Sequence, residues 1–173
     1  MFVRNDGVWT HQAKLTGPDR SASLWFGHSV GIFNNTVIVG APFANEKGSN
    51  SGSAHLFALN QGIWTHQATL LAPDGAANDY FGWNVGIFGD TVIVGAPNDD
   101  DNGLESGSAQ VFALDNNIWT HQAKIEAPDG AAFDYFGQSV GVYMDTVVVG
   151  SRWDDDNRVS DSGSLHLFTR IEG

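Results

Sequence analysis

The sequence predicts an all-β protein assembled from three copies of one four-stranded unit, and three observations predict it. The pentapeptide Trp-Thr-His-Gln-Ala begins at Trp9, Trp64 and Trp119, each 55 residues after the last (64 − 9 and 119 − 64). β-Branched runs recur at the same interval, each followed by a polar loop, rich in Asp and Asn in the second and third copies. No window of about 11 residues carries the 3.6-residue apolar period of a helix.

The elements can be read in order from the second copy. Thr91-Val92-Ile93-Val94 lacks polar alternation, as expected of a strand buried on both faces, and Gly95-Ala96-Pro97 ends it. A polar loop leads to a second strand, Ala109-Gln110-Val111-Phe112-Ala113-Leu114. Asp115-Asn116-Asn117 has hairpin turn chemistry and turns the chain into Ile118-Trp119-Thr120-His121-Gln122-Ala123. A second acidic loop, Pro128 to Tyr135, precedes the fourth strand, Phe136 to Tyr143, and Met144-Asp145 turns into the next copy. The period also aligns Phe26-Gly27, Phe81-Gly82 and Phe136-Gly137. It slips by one residue near the end, where Phe168 matches Phe112. About four strands per repeat of this length is the pattern of a β-propeller blade.

These residues resemble a known family. Phe81-Gly82 followed by Gly95-Ala96-Pro97 resembles the FG-GAP repeat, the blade of the integrin α-subunit propeller, and the extended pattern is similar to its bacterial, tryptophan-containing branch. Unit three departs from it, with Gly150-Ser151-Arg152 in place of Gly-Ala-Pro. The resemblance implies that the buried strand lies innermost, at the channel, and the Phe-Gly strand outermost. It also implies calcium in the loop between the first two strands.

Residues 1–173 then form a single repeat domain. On this reading, outer strands from 8–33 and inner strands from 146–170 complete a shared blade. Propellers have four to eight blades, so three cannot close a ring alone. A twofold homodimer would close six and cover the open strand edges. Excision from a longer array explains the overlap of the ends equally.

The best candidate site is the loop Asn98-Asp99-Asp100-Asp101-Asn102-Gly103-Leu104-Glu105-Ser106. Oxygens at Asn98, Asp100, Asn102, the Leu104 carbonyl and Ser106 have the alternate spacing of a flexible Ca²⁺ loop, and Gly103 permits its sharp turn. A shifted register uses Asp99 and Asp101 instead. Unit three offers Asp154, Asp155, Asp156 and Asn157, with Arg158 in place of the glycine. Unit one, with Ala44 and Lys47, is expected to be empty. Asp79 and Asp134, in the second acidic loop, are expected to cap backbone amides.

Composition narrows the function. Eight Lys+Arg against 20 Asp+Glu give a formal charge of −12, which argues against nucleic acid and anionic membranes as partners. No apolar run is long enough to span a bilayer, and Met1 to Asp6 lacks the order of a secretory leader. The absence of cysteine excludes disulfides and thiolate chemistry. Trp9, Trp64 and Trp119 read as inter-blade packing because every copy carries one. His11, His66 and His121 read as hydrogen-bonded packing residues. Trp25, Trp83 and Trp153 break the repeat and mark a recognition surface or subunit contact. No nucleophile elbow, His-Glu-x-x-His or phosphate loop is present, so no enzyme is expected. The expectation is a calcium-stabilised adhesion or interaction module, extracellular or at the cell surface. The alternatives are a carbohydrate-binding propeller and a purely structural assembly block.

Overall fold

The computed structural model describes residues 1–18, 24–155 and 162–170. Among these residues every regular element is a β-strand. The strands are β1 (Phe2–Asn5), β2 (Val8–His11), β3 (Val30–Phe33), β4 (Thr36–Ala41), β5 (Ser53–Asn60), β6 (Ile63–Leu70), β7 (Val85–Phe88), β8 (Thr91–Ala96), β9 (Ser108–Asp115), β10 (Ile118–Ile125), β11 (Ser139–Tyr143), β12 (Thr146–Ser151) and β13 (Ser164–Thr169). They form two complete antiparallel sheets, β3-β4-β5-β6 and β7-β8-β9-β10, a three-stranded sheet β11-β12-β13, and the hairpin β1-β2.

The turns follow from their residues. Asn116 and Asn117 both take positive φ (48° and 65°) between β9 and β10, the geometry a two-residue hairpin needs and one that asparagine tolerates. At the β11–β12 turn Met144 has φ 53°.

The strand order corrects the radial assignment. β8 lies between β7 and β9, so the most buried run is the second strand of its blade, not the innermost. The strands that follow Phe-Gly are innermost: β3 packs on β7 and β7 on β11. Phe33 meets Phe88 at 4.8 Å and Phe88 meets Tyr143 at 4.7 Å between ring centroids. Ser29 Oγ and Asn84 Oδ1 accept from the amides of Val85 and Val140 across the same seams, both at 3.1 Å. Burial on both faces makes Thr91–Ala96 apolar whatever its distance from the axis, which is why its composition misleads. A blade therefore begins before the Phe-Gly strand, and Val30–Phe33 belongs with Thr36–Ala41 rather than with the N-terminal hairpin.

The blades are joined by the two glycine motifs. Phe81 and Phe136 are fully buried and bridge in parallel to Gly52 and Gly107 of the preceding blade. Gly82 donates its N–H to Gly95 O (3.0 Å) within its own blade. A Cβ on Gly40 would stand 2.0 Å from Gly82 O, and one on Gly95 1.9 Å from Gly137 O. The Gly of Gly-Ala-Pro and the Gly of the next Phe-Gly are thus one contact, with no room for a side chain.

The repeated tryptophans divide. Trp64 and Trp119 pack against hydrophobic clusters, Trp119 on the one that contains Ile38, Leu56 and Leu70 and Trp64 on the one formed by Val37, Val39 and Phe57. Trp9 is 66% exposed, contrary to the packing expected of it, because no neighbouring blade lies on its side among the described residues.

Gly95→Ala should destabilise by about 3 kcal/mol, because the new methyl meets backbone that cannot move aside. Gly62→Ala, at φ 82° with open space around it, should cost about 1 kcal/mol through backbone strain alone. Urea denaturation of the two variants measures the gap, and equal costs would refute the contact.

Candidate functional site

The acidic loops sit where the second strand of each blade ends. In blade two, Asp99 is buried at the start of the loop. Its Oδ2 accepts from Ser108 Oγ (2.6 Å), its Oδ1 from Asp101 N (3.0 Å), and its carbonyl from Gly107 N (2.9 Å). Asp74 arrives from the loop before β7, and Asp99, Asp101 and Asp74 bring carboxylate oxygens within 4.8 Å of one another. At their centre stands the ammonium of Lys124, from β10. Its Nζ lies 2.9 Å from Asp74 Oδ2, 2.9 Å from Asp99 Oδ2 and 2.5 Å from Asp101 Oδ2. Burial works against the charge of Lys124, but hydrogen bonds to Asp101, Asp99 and Asp74 outweigh it and raise its pKa above the ordinary range. Burial likewise works to raise Asp74, and the bond from Lys124 outweighs it and holds Asp74 below the usual carboxylate range. Beneath this group, Gln110 bonds Asp74 Oδ1 at 3.2 Å and His121 Nε2 at 2.7 Å.

The remaining sequence candidates of this loop hold the loop itself. Asp100 Oδ1 accepts from Glu105 N (2.7 Å), as Asn45 Oδ1 accepts from Asn50 N (2.8 Å) in blade one. Asn98 donates to Glu105 Oε1 at 3.0 Å. The Leu104 carbonyl accepts from Phe133 N (2.8 Å), and Ser106 Oγ donates to Asp99 O (3.3 Å). The structure therefore brings Asp99 and Asp101 together with Asp74, and engages Asn98, Asp100, the Leu104 carbonyl and Ser106 in hydrogen bonds that shape the loop.

Blade three repeats the arrangement on its three described strands. Asp154 is buried and accepts from Ser164 Oγ. His166, at the repeat position of Gln110, places Nε2 3.8 Å from Asp154 Oδ2 and 3.9 Å from Asp129 Oδ1. Asp154, Asp129 and His166 form a second group of potential metal ligands within 4.8 Å. Asp155 lies to one side, lining a cavity with Trp83 and Trp153. Asp156 and Asn157 lie outside the described residues. In blade one Ala44 stands where blade two has Asp99, and His55 is buried against Ser53 Oγ at 3.0 Å. Burial and the nearby His66 lower the pKa of His55 to about 4, which keeps it neutral.

Asp79 and Asp134 cap as expected: Asp79 Oδ2 accepts from Ala76 N and Asp134 Oδ2 from Ala131 N, both at 2.6 Å. Burial, then the neighbouring Asp99 and Asp100, raise Asp79 to about 6 against the backbone bond.

Sequence reasoning did not connect Asp74, Lys124, Asp129 and His166 to the loops. The available signal was the lysine shared by Lys14 and Lys124, which the second copy replaces with Thr69.

The sequence profile of the FG-GAP repeat matches residues 9–57, 64–112 and 119–168. The chain belongs to the FG-GAP repeat family. Each match runs from a repeated tryptophan to the phenylalanine of the following third strand, so it spans the seam between blades that the FG-GAP glycines close. No curated protein matches the chain.

Asp79→Asn should separate capping from charge, since an asparagine oxygen still accepts from Ala76 N but cannot ionise. The folded-state pKa of Asp79 lies above the unfolded one, so folding takes up a proton between about pH 4 and 6, and its contribution to stability falls as pH rises through that window. His55 acts with the opposite sign over an overlapping range and is common to both proteins. The melting temperature of Asp79→Asn minus that of the wild type should therefore increase from about pH 4 to pH 7. A flat difference would contradict the raised pKa.

Proposed function

We propose that this FG-GAP protein is a non-enzymatic β-propeller interaction module whose blade-end loops are ordered by calcium. The observation behind this reading is that Asp154, Asp129 and His166 bring potential ligand atoms within 4.8 Å of one another in blade three, while in blade two Lys124 occupies the centre of the corresponding carboxylate group. Carboxylate oxygens suit a hard cation, and a site with so few charged ligands fits the millimolar affinities of extracellular modules, which favours an extracellular or cell-surface location. Ser164, His166 and Asp154 supply the residue types of a hydrolytic triad. Both Ser164 and Asp154 approach Nε2, however, whereas a proton relay needs its nucleophile and its carboxylate on opposite ring nitrogens. That geometry supports a binding role over catalysis.

Calcium should raise the melting temperature of the wild type. Asp154→Asn should abolish the rise and Asp101→Asn, at the lysine-filled site, should retain it. Differential scanning fluorimetry with Ca²⁺ and with Mg²⁺ distinguishes these cases, and an unchanged response in Asp154→Asn would move the site elsewhere.

The partner we propose is a second copy of the chain. Val8 and Trp9 are exposed at one end of the array, Tyr143, Leu165 and Leu167 at the other, and β13 carries no fourth strand among the described residues. Apolar side chains beside an open strand edge favour pairing over solvation. Sedimentation equilibrium should give twice the chain mass, and Leu167→Asp should return it to the mass of one chain. A wild type that stays monomeric at high concentration would refute the pairing.

A further inference from the structure

We infer that the cleft between the second and third blades, at the loop end of the propeller, is a carbohydrate-binding site that stacks a pyranose between aromatic side chains. The argument begins with equivalent positions in the two seams. At the first seam Trp25, His28, Phe43, Tyr80 and Trp83 pile on one another. Trp25 and Phe43 lie 4.3 Å apart, His28 and Trp83 4.7 Å, and Phe43 and Tyr80 5.2 Å, centroid to centroid. At the second seam the repeat places Asn98 where Phe43 stands and Gln138 where Trp83 stands. Two rings become two amides, and the seam opens into a cavity of about 500 Å³.

Three aromatic residues outside the repeated set converge on that cavity: Trp83, Trp153 and Phe133. Phe133 is the most telling. The matching residue of the previous copy is Asn78, and both have φ 72°. Asparagine tolerates this left-handed conformation, whereas a bulky phenylalanine is strained in it. Phe133 recovers little by burial, being 51% exposed. Trp153 is 42% exposed, and Arg152 holds its guanidinium 5.1 Å from the ring centroid. Trp153 stands at the repeat position of Phe43, a seam position, but Phe133, half in water on a strained backbone beside a hollow, is not explained by packing.

The chemistry of the walls selects the ligand. Aromatic faces accept the C–H face of a pyranose, and Asn98, Gln138 and Arg152 supply donors and acceptors for ring hydroxyls at the edge. A volume near 500 Å³ lies in the range of small-ligand sites and admits one or two sugar rings. An extended peptide would need a row of unpaired backbone groups to add to, whereas this cavity presents side chains. The inference is independent of calcium and of self-association.

Saturation-transfer difference NMR on the full chain, with methyl glucosides, galactosides and mannosides and their disaccharides, tests it. Transfer to the ring C–H protons of at least one sugar is expected. Trp153→Ala should weaken that binding about tenfold or more, the loss of one stacking partner. Asn98→Phe should abolish it by refilling the cleft as Phe43 fills the first, while far-UV circular dichroism shows the fold retained. Absence of transfer from every sugar would overturn the proposal. So would binding that survives both substitutions, or a site that takes apolar peptides but no sugar.

Discussion

The contact between the glycine near the end of the second strand of one blade and the Phe-Gly glycine of the next governs this structure. Gly40 faces Gly82 and Gly95 faces Gly137 at separations that exclude a Cβ. Such an approach lets Phe81 and Phe136 insert completely between sheets, with Gly52 and Gly107 bridging to them in parallel. Burying a phenylalanine contributes a few kcal/mol, but only if the backbones close tightly enough to leave no void around it. The small residue and the large one are therefore one device. Their spacing along the chain sets the angle and distance at which each blade meets its neighbour.

Because that device is local, the loops above it are free to differ, and the three blades solve one electrostatic problem in three ways. Blade one removes the charge: Ala44 takes the aspartate position and His55 stays neutral beneath it. Blade two keeps three carboxylates and balances them with Lys124. Blade three keeps Asp154 and Asp129 and sets His166 against them. Each arrangement satisfies the buried aspartate or eliminates it, as a low-dielectric seam requires. Among the described residues no buried side-chain nitrogen or oxygen lacks a partner.

Much of this was legible in the sequence, and the failures have physical causes. The repeat, the strand count and the hairpin turns were readable because each rests on neighbours in the chain: Asn116-Asn117 encodes its turn without reference to anything distant. The radial order was not readable. Val92, Ile93 and Val94 report burial on two faces, and the middle of a blade is buried on two faces wherever it lies relative to the axis. The loop spacing around Gly103 predicted a ligand set within one segment. The structure spends Asn98, Asp100 and Ser106 on closing the loop, and completes the carboxylate group with Asp74 and Lys124 from elsewhere in the chain. Linear spacing cannot encode a site whose members meet only after sheets form.

Departures from the repeat carry the information that the repeat withholds. A residue present in every copy is accounted for by the contact it makes in every seam, as Phe81 and Phe136 are. A residue that differs in one copy must answer to that copy alone. Thr69, where the other copies have Lys14 and Lys124, is explained at once by Ala44 in place of the aspartate of its loop and by its partner His55 at 3.2 Å. Phe133 in place of Asn78 finds no such partner: it takes on backbone strain, stays half in water and borders a hollow whose floor has exchanged rings for amides. A scaffold fixed by glycine contacts tolerates that exchange, because nothing in the seam below depends on what the loop presents. A surface of this kind is free to acquire a ligand without altering the fold that carries it.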